Sequence, residues 1–113
     1  MVAISTVRRW CCGVLAMLLL WLGAAAPAQA DSAQLFETHC AGCHPNGSNI
    51  IRRGKNLKQR ALTRYGYDSI DAIADIITHG KGLMSAYDER LSSEEIQQLA
   101  AYVLEQADRN WKS

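Results

Sequence analysis

Phenylalanine occurs once in the 113 residues, proline twice, and aromatic side chains together make up 7% of the chain. So few large rings leave a small domain with a limited core, of the size that often needs a covalent staple or a bound cofactor. Strong charge of either sign is missing too, since twelve basic residues face eleven acidic ones for a net charge of +1. Neither nucleic acid nor an anionic membrane surface is implied by that balance, which becomes −1 for residues 31–113. No internal repeat, no low-complexity tract and no alternating stretch long enough for a strand is present, which excludes repeat arrays and sheets. Helical periodicities broken by loops remain, and the expected class is all-α.

The first thirty residues do not read as part of that fold. Arg8 and Arg9 precede a 17-residue apolar run from Trp10 to Ala26, and Ala28-Gln29-Ala30 follows with an A-x-A cleavage signature. This is the layout of a secretory signal peptide, removed before Asp31. A retained membrane anchor is the alternative, but the run sits at the lower edge of spanning length and closes on small residues and Pro27 rather than on basic ones. Nothing else around Arg8-Arg9 supports a twin-arginine signal. The expected organisation is therefore a cleaved leader over 1–30 and one domain over 31–113, with ten basic against eleven acidic residues. Within that domain Arg52, Arg53, Lys55, Lys58, Arg60 and Arg64 crowd into thirteen positions, while Asp88, Glu89, Glu94 and Glu95 lie late. The basic run reads either as a solvated face or as a surface that steers an acidic partner.

Local signals divide the domain into about four helices. Ser32 is placed to cap a first helix bearing Leu35, Phe36 and Cys40, and Pro45 with Asn46-Gly47-Ser48-Asn49 ends it in a loop. A short helix is expected over Asn56 to Tyr65, stopped by Gly66. Asp68 is placed to cap the next, where Ile70, Ile73 and Ile77 recur at helical spacing and Gly80 takes the terminating position. After a loop from Gly80 to Leu91, Ser92-x-x-Glu95 forms a capping box. Ile96, Leu99, Ala100, Val103 and Ala107 then make a single buried stripe.

Cys11 and Cys12 would leave with the leader, so Cys40 and Cys43 carry the cysteine chemistry. A disulfide closing so short a loop constrains the unfolded chain very little, and a redox-active C-x-x-C expects a βαβ neighbourhood that is missing. The next residue is His44, and Cys40-Ala41-Gly42-Cys43-His44 is the attachment motif of c-type haem. Two thiols at this spacing add to the two vinyl groups on one edge of a porphyrin, and the adjoining imidazole then meets the iron. A zinc site would need two further ligands, and His39 and His79 match no standard finger spacing. For the sixth iron position, Met84 is the one methionine left once Met1 and Met17 are gone. It lies in a glycine-flanked loop, although a lone methionine is often only core filler. His79 and an open position are the alternatives, and His39 adjoins the attachment on the proximal side. Methionine–histidine ligation suits an electron carrier, because the filled coordination sphere excludes substrate.

These residues resemble the cytochrome c6 family, soluble class I carriers of cyanobacterial and algal thylakoid lumens. The likeness runs from Asp31 to Trp111. It rests on Ala33-Gln34-Leu35-Phe36, Asn49-Ile50-Ile51, Lys55-Asn56-Leu57, the ligand-loop segment Thr78-His79-Gly80-Lys81-Gly82-Leu83-Met84, and Arg90-Leu91-Ser92 through Tyr102-Val103-Leu104. The resemblance implies one haem c held by Cys40 and Cys43, axial ligands His44 and Met84, and a first helix packed on the last with Phe36 and Tyr102 near the crossing. It implies a monomer that docks briefly between a cytochrome b6f-like donor and a photosystem I or cytochrome oxidase acceptor, in the thylakoid lumen or periplasm of a cyanobacterium. Ser85 stands where the family usually has proline, Ile76 where photosynthetic members carry glutamine near the haem, and Tyr65-Gly66-Tyr67 is a shortened aromatic segment. These departures favour, as an alternative, a c6-like variant with a low-potential regulatory or redox-sensing role. A haem subunit of an oxidase would go with a retained anchor. An enzyme or gas sensor with open iron would need a distal acid–base pair, and none is evident.

Overall fold

Helix formation follows the apolar spacing closely at the C-terminal end of the domain. The computed structural model describes residues 28–112, and the leader expected over 1–30 lies outside them up to residue 27. Four helices are present among the described residues: α1 Ala28–His39, α2 Gln59–Tyr65, α3 Ile70–His79 and α4 Ser93–Asp108, with a 3-10 turn at Pro45–Gly47. In α4 the expected box is complete, with the Ser92 hydroxyl accepting from the Glu95 N–H at 3.1 Å and the Glu95 carboxylate accepting from the Ser92 N–H at 2.8 Å. The stripe beyond it is buried throughout, Leu99 and Ala100 completely. Burying a leucine of that kind stabilises the fold by about 2 kcal/mol.

Three starts differ from expectation. Helix α1 begins at Ala28 rather than at a Ser32 cap, and Ser32 is itself buried at 3% exposure. Alanine and glutamine upstream are good helix formers and carry the turn on, so Ser32 is an interior residue of the helix. Helix α2 begins three residues after Asn56, whose side chain serves the loop instead: Oδ1 accepts from the Lys58 N–H at 3.0 Å and Nδ2 donates to the Arg53 carbonyl at 2.9 Å. In α3 the cap is Ser69, one residue beyond Asp68, with its hydroxyl accepting from the Ala72 N–H at 3.1 Å. Gly66 and Gly80 end α2 and α3 as expected, both at positive φ.

Helix α4 is the hub, packing against α1 and α3 most extensively and also against α2. Phe36 meets Tyr102 at the α1–α4 crossing with ring centroids 5.6 Å apart. A third ring joins them: Trp111, beyond α4, lies 5.0 Å from Phe36 and 6.2 Å from Tyr102. Its indole N–H donates to the Leu57 carbonyl at 3.0 Å. Gly47 faces that indole so closely that an added Cβ would lie 2.3 Å from it. Glycine is thus required there twice, for the contact and for a φ of 75°.

Candidate haem site

The backbone coils on for one turn beyond α1. The Cys40 N–H donates to the Phe36 carbonyl at 2.8 Å, and the N–H groups of Cys43 and His44 donate to the Cys40 carbonyl at 3.1 and 2.9 Å. Residues three and four apart on such a turn share a face, so Cys40, Cys43 and His44 come together locally. Both thiols are free, Cys40 half-buried and Cys43 exposed. Burial, and next the neighbouring Cys43, push the Cys40 thiol up to about 11.

The half-buried His44 ring is oriented by the loop after it. Its Nδ1 lies 2.9 Å from the Ser48 carbonyl oxygen. A carbonyl only accepts, so Nδ1 donates to it, and Nε2 is the ring nitrogen that remains for an iron. That loop is knitted by the Ile50 N–H donating to the Cys43 carbonyl at 3.1 Å and the Leu57 N–H donating to the Gly47 carbonyl at 2.7 Å.

Met84 sits in the connection between α3 and α4. It is half-buried against the core, and its turn is closed by reciprocal backbone hydrogen bonds with Lys81, both 3.0 Å. Gly80 is indispensable to the approach, because a Cβ there would lie 2.5 Å from the Met84 carbonyl oxygen. Ile76 is half-buried on the flank of α3, outside the core cluster, and its carbonyl accepts from the Gly80 N–H at 2.8 Å. His79 is exposed and turned back on its own helix, with Nδ1 3.1 Å from the Asp75 carboxylate. The His39 ring packs edge-on against Tyr87 at 5.8 Å. Two residues without a local signature join the constellation. Ser48 contributes its carbonyl to His44, and Tyr87 links the Met84 loop to α1 through its hydroxyl, 2.9 Å from the His39 carbonyl.

The donor set fits a covalent haem: two thiols at the attachment spacing, an imidazole whose Nδ1 is bound to a carbonyl, and a thioether on a second loop. Apolar side chains stand exposed on the same two loops, Ile50 and Ile51 after His44 and Leu83 before Met84.

Residues 27–103 match the family model described as cytochrome c oxidase, cbb3-type, subunit III. A cytochrome c6-like protein of a Nostoc species is 59% identical over 90 residues, covering 76% of this chain and 81% of the relative. Cytochrome c6 of Aphanizomenon flos-aquae is 51% identical over 82 residues, covering 73% of this chain and 94% of the relative. The chain belongs to the cytochrome c6 family. In structure it resembles cytochrome c6C from a Synechococcus species, with a TM-score of 0.67 and 62% identity over 69% of this chain and 95% of that one. Family membership makes it a class I haem c protein of electron transport, not an enzyme, with one covalent haem at the attachment motif that Cys40 and Cys43 occupy. Among the described residues no helix is long and apolar enough to cross a membrane.

Proposed function

We propose that His44 and Met84 are the axial ligands and that the chain shuttles single electrons between a cytochrome b6f-like donor and a photosystem I or cytochrome oxidase acceptor, after export and removal of residues 1–30. When bound, haem c would supply reversible one-electron exchange, with His44 and Met84 as the residues that would hold its iron. The chain's own residues prepare that set. Ser48 orients the His44 ring, the Lys81–Met84 turn presents the thioether, and Ile76 with the buried Ile73 and Ile77 keeps that flank of α3 apolar. The carrying observation is the Nδ1 hydrogen bond of His44, which reserves Nε2 for a metal. Arg52, Arg53, Lys55, Lys58, Arg60 and Arg64 are all exposed, and Arg52 and Arg53 directly follow the exposed Ile50 and Ile51 in sequence, an arrangement that favours brief docking of an acidic partner. Carbon monoxide added to the reduced holoprotein tests the sealed iron. No spectral change is expected, and a carbonyl adduct formed at once would overturn the reading.

A second reading draws on the relatives. The c6-like and c6C relatives share 59% and 62% identity with this chain, against 51% for the Aphanizomenon cytochrome c6. Together with Ser85 and Ile76 this favours a variant with a lower-potential role. A redox titration separates the two, since only a high midpoint potential matches a photosystem I donor.

A further inference from the structure

Methionine is a weak iron ligand, and what keeps it in place is the loop that carries it. Upstream of Met84 the loop is secured by Gly80 and the Lys81 turn. Downstream, Ser85 lacks the fixed φ that a proline would impose, and Ser85 and Ala86 are both exposed. The first secured residue after them is Tyr87, and it is held at three points. Its N–H donates to the Ile77 carbonyl at 3.0 Å, on α3. Its carbonyl accepts from the N–H groups of Arg90 and Leu91 at 3.0 and 2.9 Å, and the Arg90 guanidinium lies 5.3 Å from the ring centre. Its hydroxyl donates to the His39 carbonyl at 2.9 Å, across 48 residues of sequence. That carbonyl belongs to the last turn of α1, where the helix leaves acceptors without an intrahelical partner. His39 immediately precedes Cys40, so this one hydrogen bond ties the loop of Met84 to the helix that carries the attachment motif.

We infer that Tyr87 is a positioning residue for Met84, a strap whose hydroxyl governs how often the ligand loop opens. The inference rests on the reading of Met84 as the sixth ligand. Opening with the hydroxyl intact breaks a part-buried hydrogen bond and frees the loop from Ser85 onward. Without it, the closed loop loses a bond that the open loop never had.

The test is Tyr87→Phe in the oxidised holoprotein, with imidazole as probe of the vacated iron position. Loss of one part-buried hydrogen bond corresponds to about a fivefold rise in opening, and hence in the imidazole on-rate. The rise should persist at zero denaturant and depend little on urea, as local opening does. Arg90→Ala, which removes the ring contact and leaves the hydroxyl, should raise the on-rate less than Tyr87→Phe does, and an equal or larger rise overturns the role of the hydroxyl. An unchanged on-rate in Tyr87→Phe overturns the strap, as does a rise that only parallels the rate of global unfolding. The ligand assignment is checked separately. If wild-type protein lacks the weak red-edge absorption of an iron–thioether bond, the Met84 reading fails whatever Tyr87 does.

Discussion

Trp111, beyond α4, packs on rings of α1 and α4 and bonds the loop before α2, and truncating it tests whether the fold is closed by that residue. The ring packs on Phe36 and Tyr102, each contact contributing about 1 kcal/mol. The indole N–H adds a hydrogen bond to Leu57 of about the same size. Because Trp111 is half-buried, Trp111→Ala should cost about 3 kcal/mol, the lower end for tryptophan truncation. Its backbone, at a φ of 55°, is disfavoured for alanine as well, so that strain should not offset the loss. Trp111→Phe keeps a ring against Phe36 and Tyr102 but leaves the Leu57 carbonyl without its donor, for about 1 kcal/mol. Urea unfolding of the holoprotein followed by far-ultraviolet circular dichroism measures both variants, with the slope unchanged. At about 1.5 kcal/mol per molar for a small domain, the alanine midpoint should fall by about 2 M. A fall no larger than that of the phenylalanine variant would show that the rings contribute nothing beyond the hydrogen bond.

Replacing Cys40 and Cys43 together with alanine should abolish covalent haem and leave the chain largely unfolded, and a haem-stained band on a denaturing gel would contradict this. Met84→Ala should remove the red-edge absorption of the oxidised protein and admit imidazole to the iron, whereas an unaltered spectrum points to another ligand. Ile76→Gln should raise the midpoint potential with the visible spectrum otherwise unchanged, because an amide near the haem stabilises the added electron on a flank already kept dry by Ile73 and Ile77. A tenfold change in equilibrium is about 59 mV for one electron, and a potential that falls or stays put rules out that account of Ile76.

What could be read beforehand was whatever physics acts within one turn of chain. Ser92 and Glu95 cap each other three residues apart, and the α4 stripe declares its buried face by spacing alone. Gly66 and Gly80 mark real helix ends for the same reason. Ser32 misleads because a serine that caps and a serine inside a helix look alike in sequence, and here the helix starts four residues earlier, at Ala28. Asp68 and Ser69 are both capable caps side by side, and local chemistry does not choose between them. Cys40, Cys43 and His44 are adjacent in sequence, so their grouping was legible, while the carbonyl that orients His44 belongs to Ser48, whose own side chain plays no part in that bond. Tyr87 and Trp111 act across 48 and 54 residues. No local periodicity encodes a contact of that span.

The contact between α1 and α4, secured by Trp111, has a consequence for the order of events. A chain delivered N-terminus first through an export channel presents Cys40 and Cys43 long before residues 93–111 arrive. Until they do, Phe36 has neither Tyr102 nor Trp111 to pack on, and closure over so many intervening residues is intrinsically slow. On the proposed export route the thiols would therefore pass through an interval in which they are outside the channel and unburied. On that route the late arrival of the final helix would set the time open to cofactor attachment.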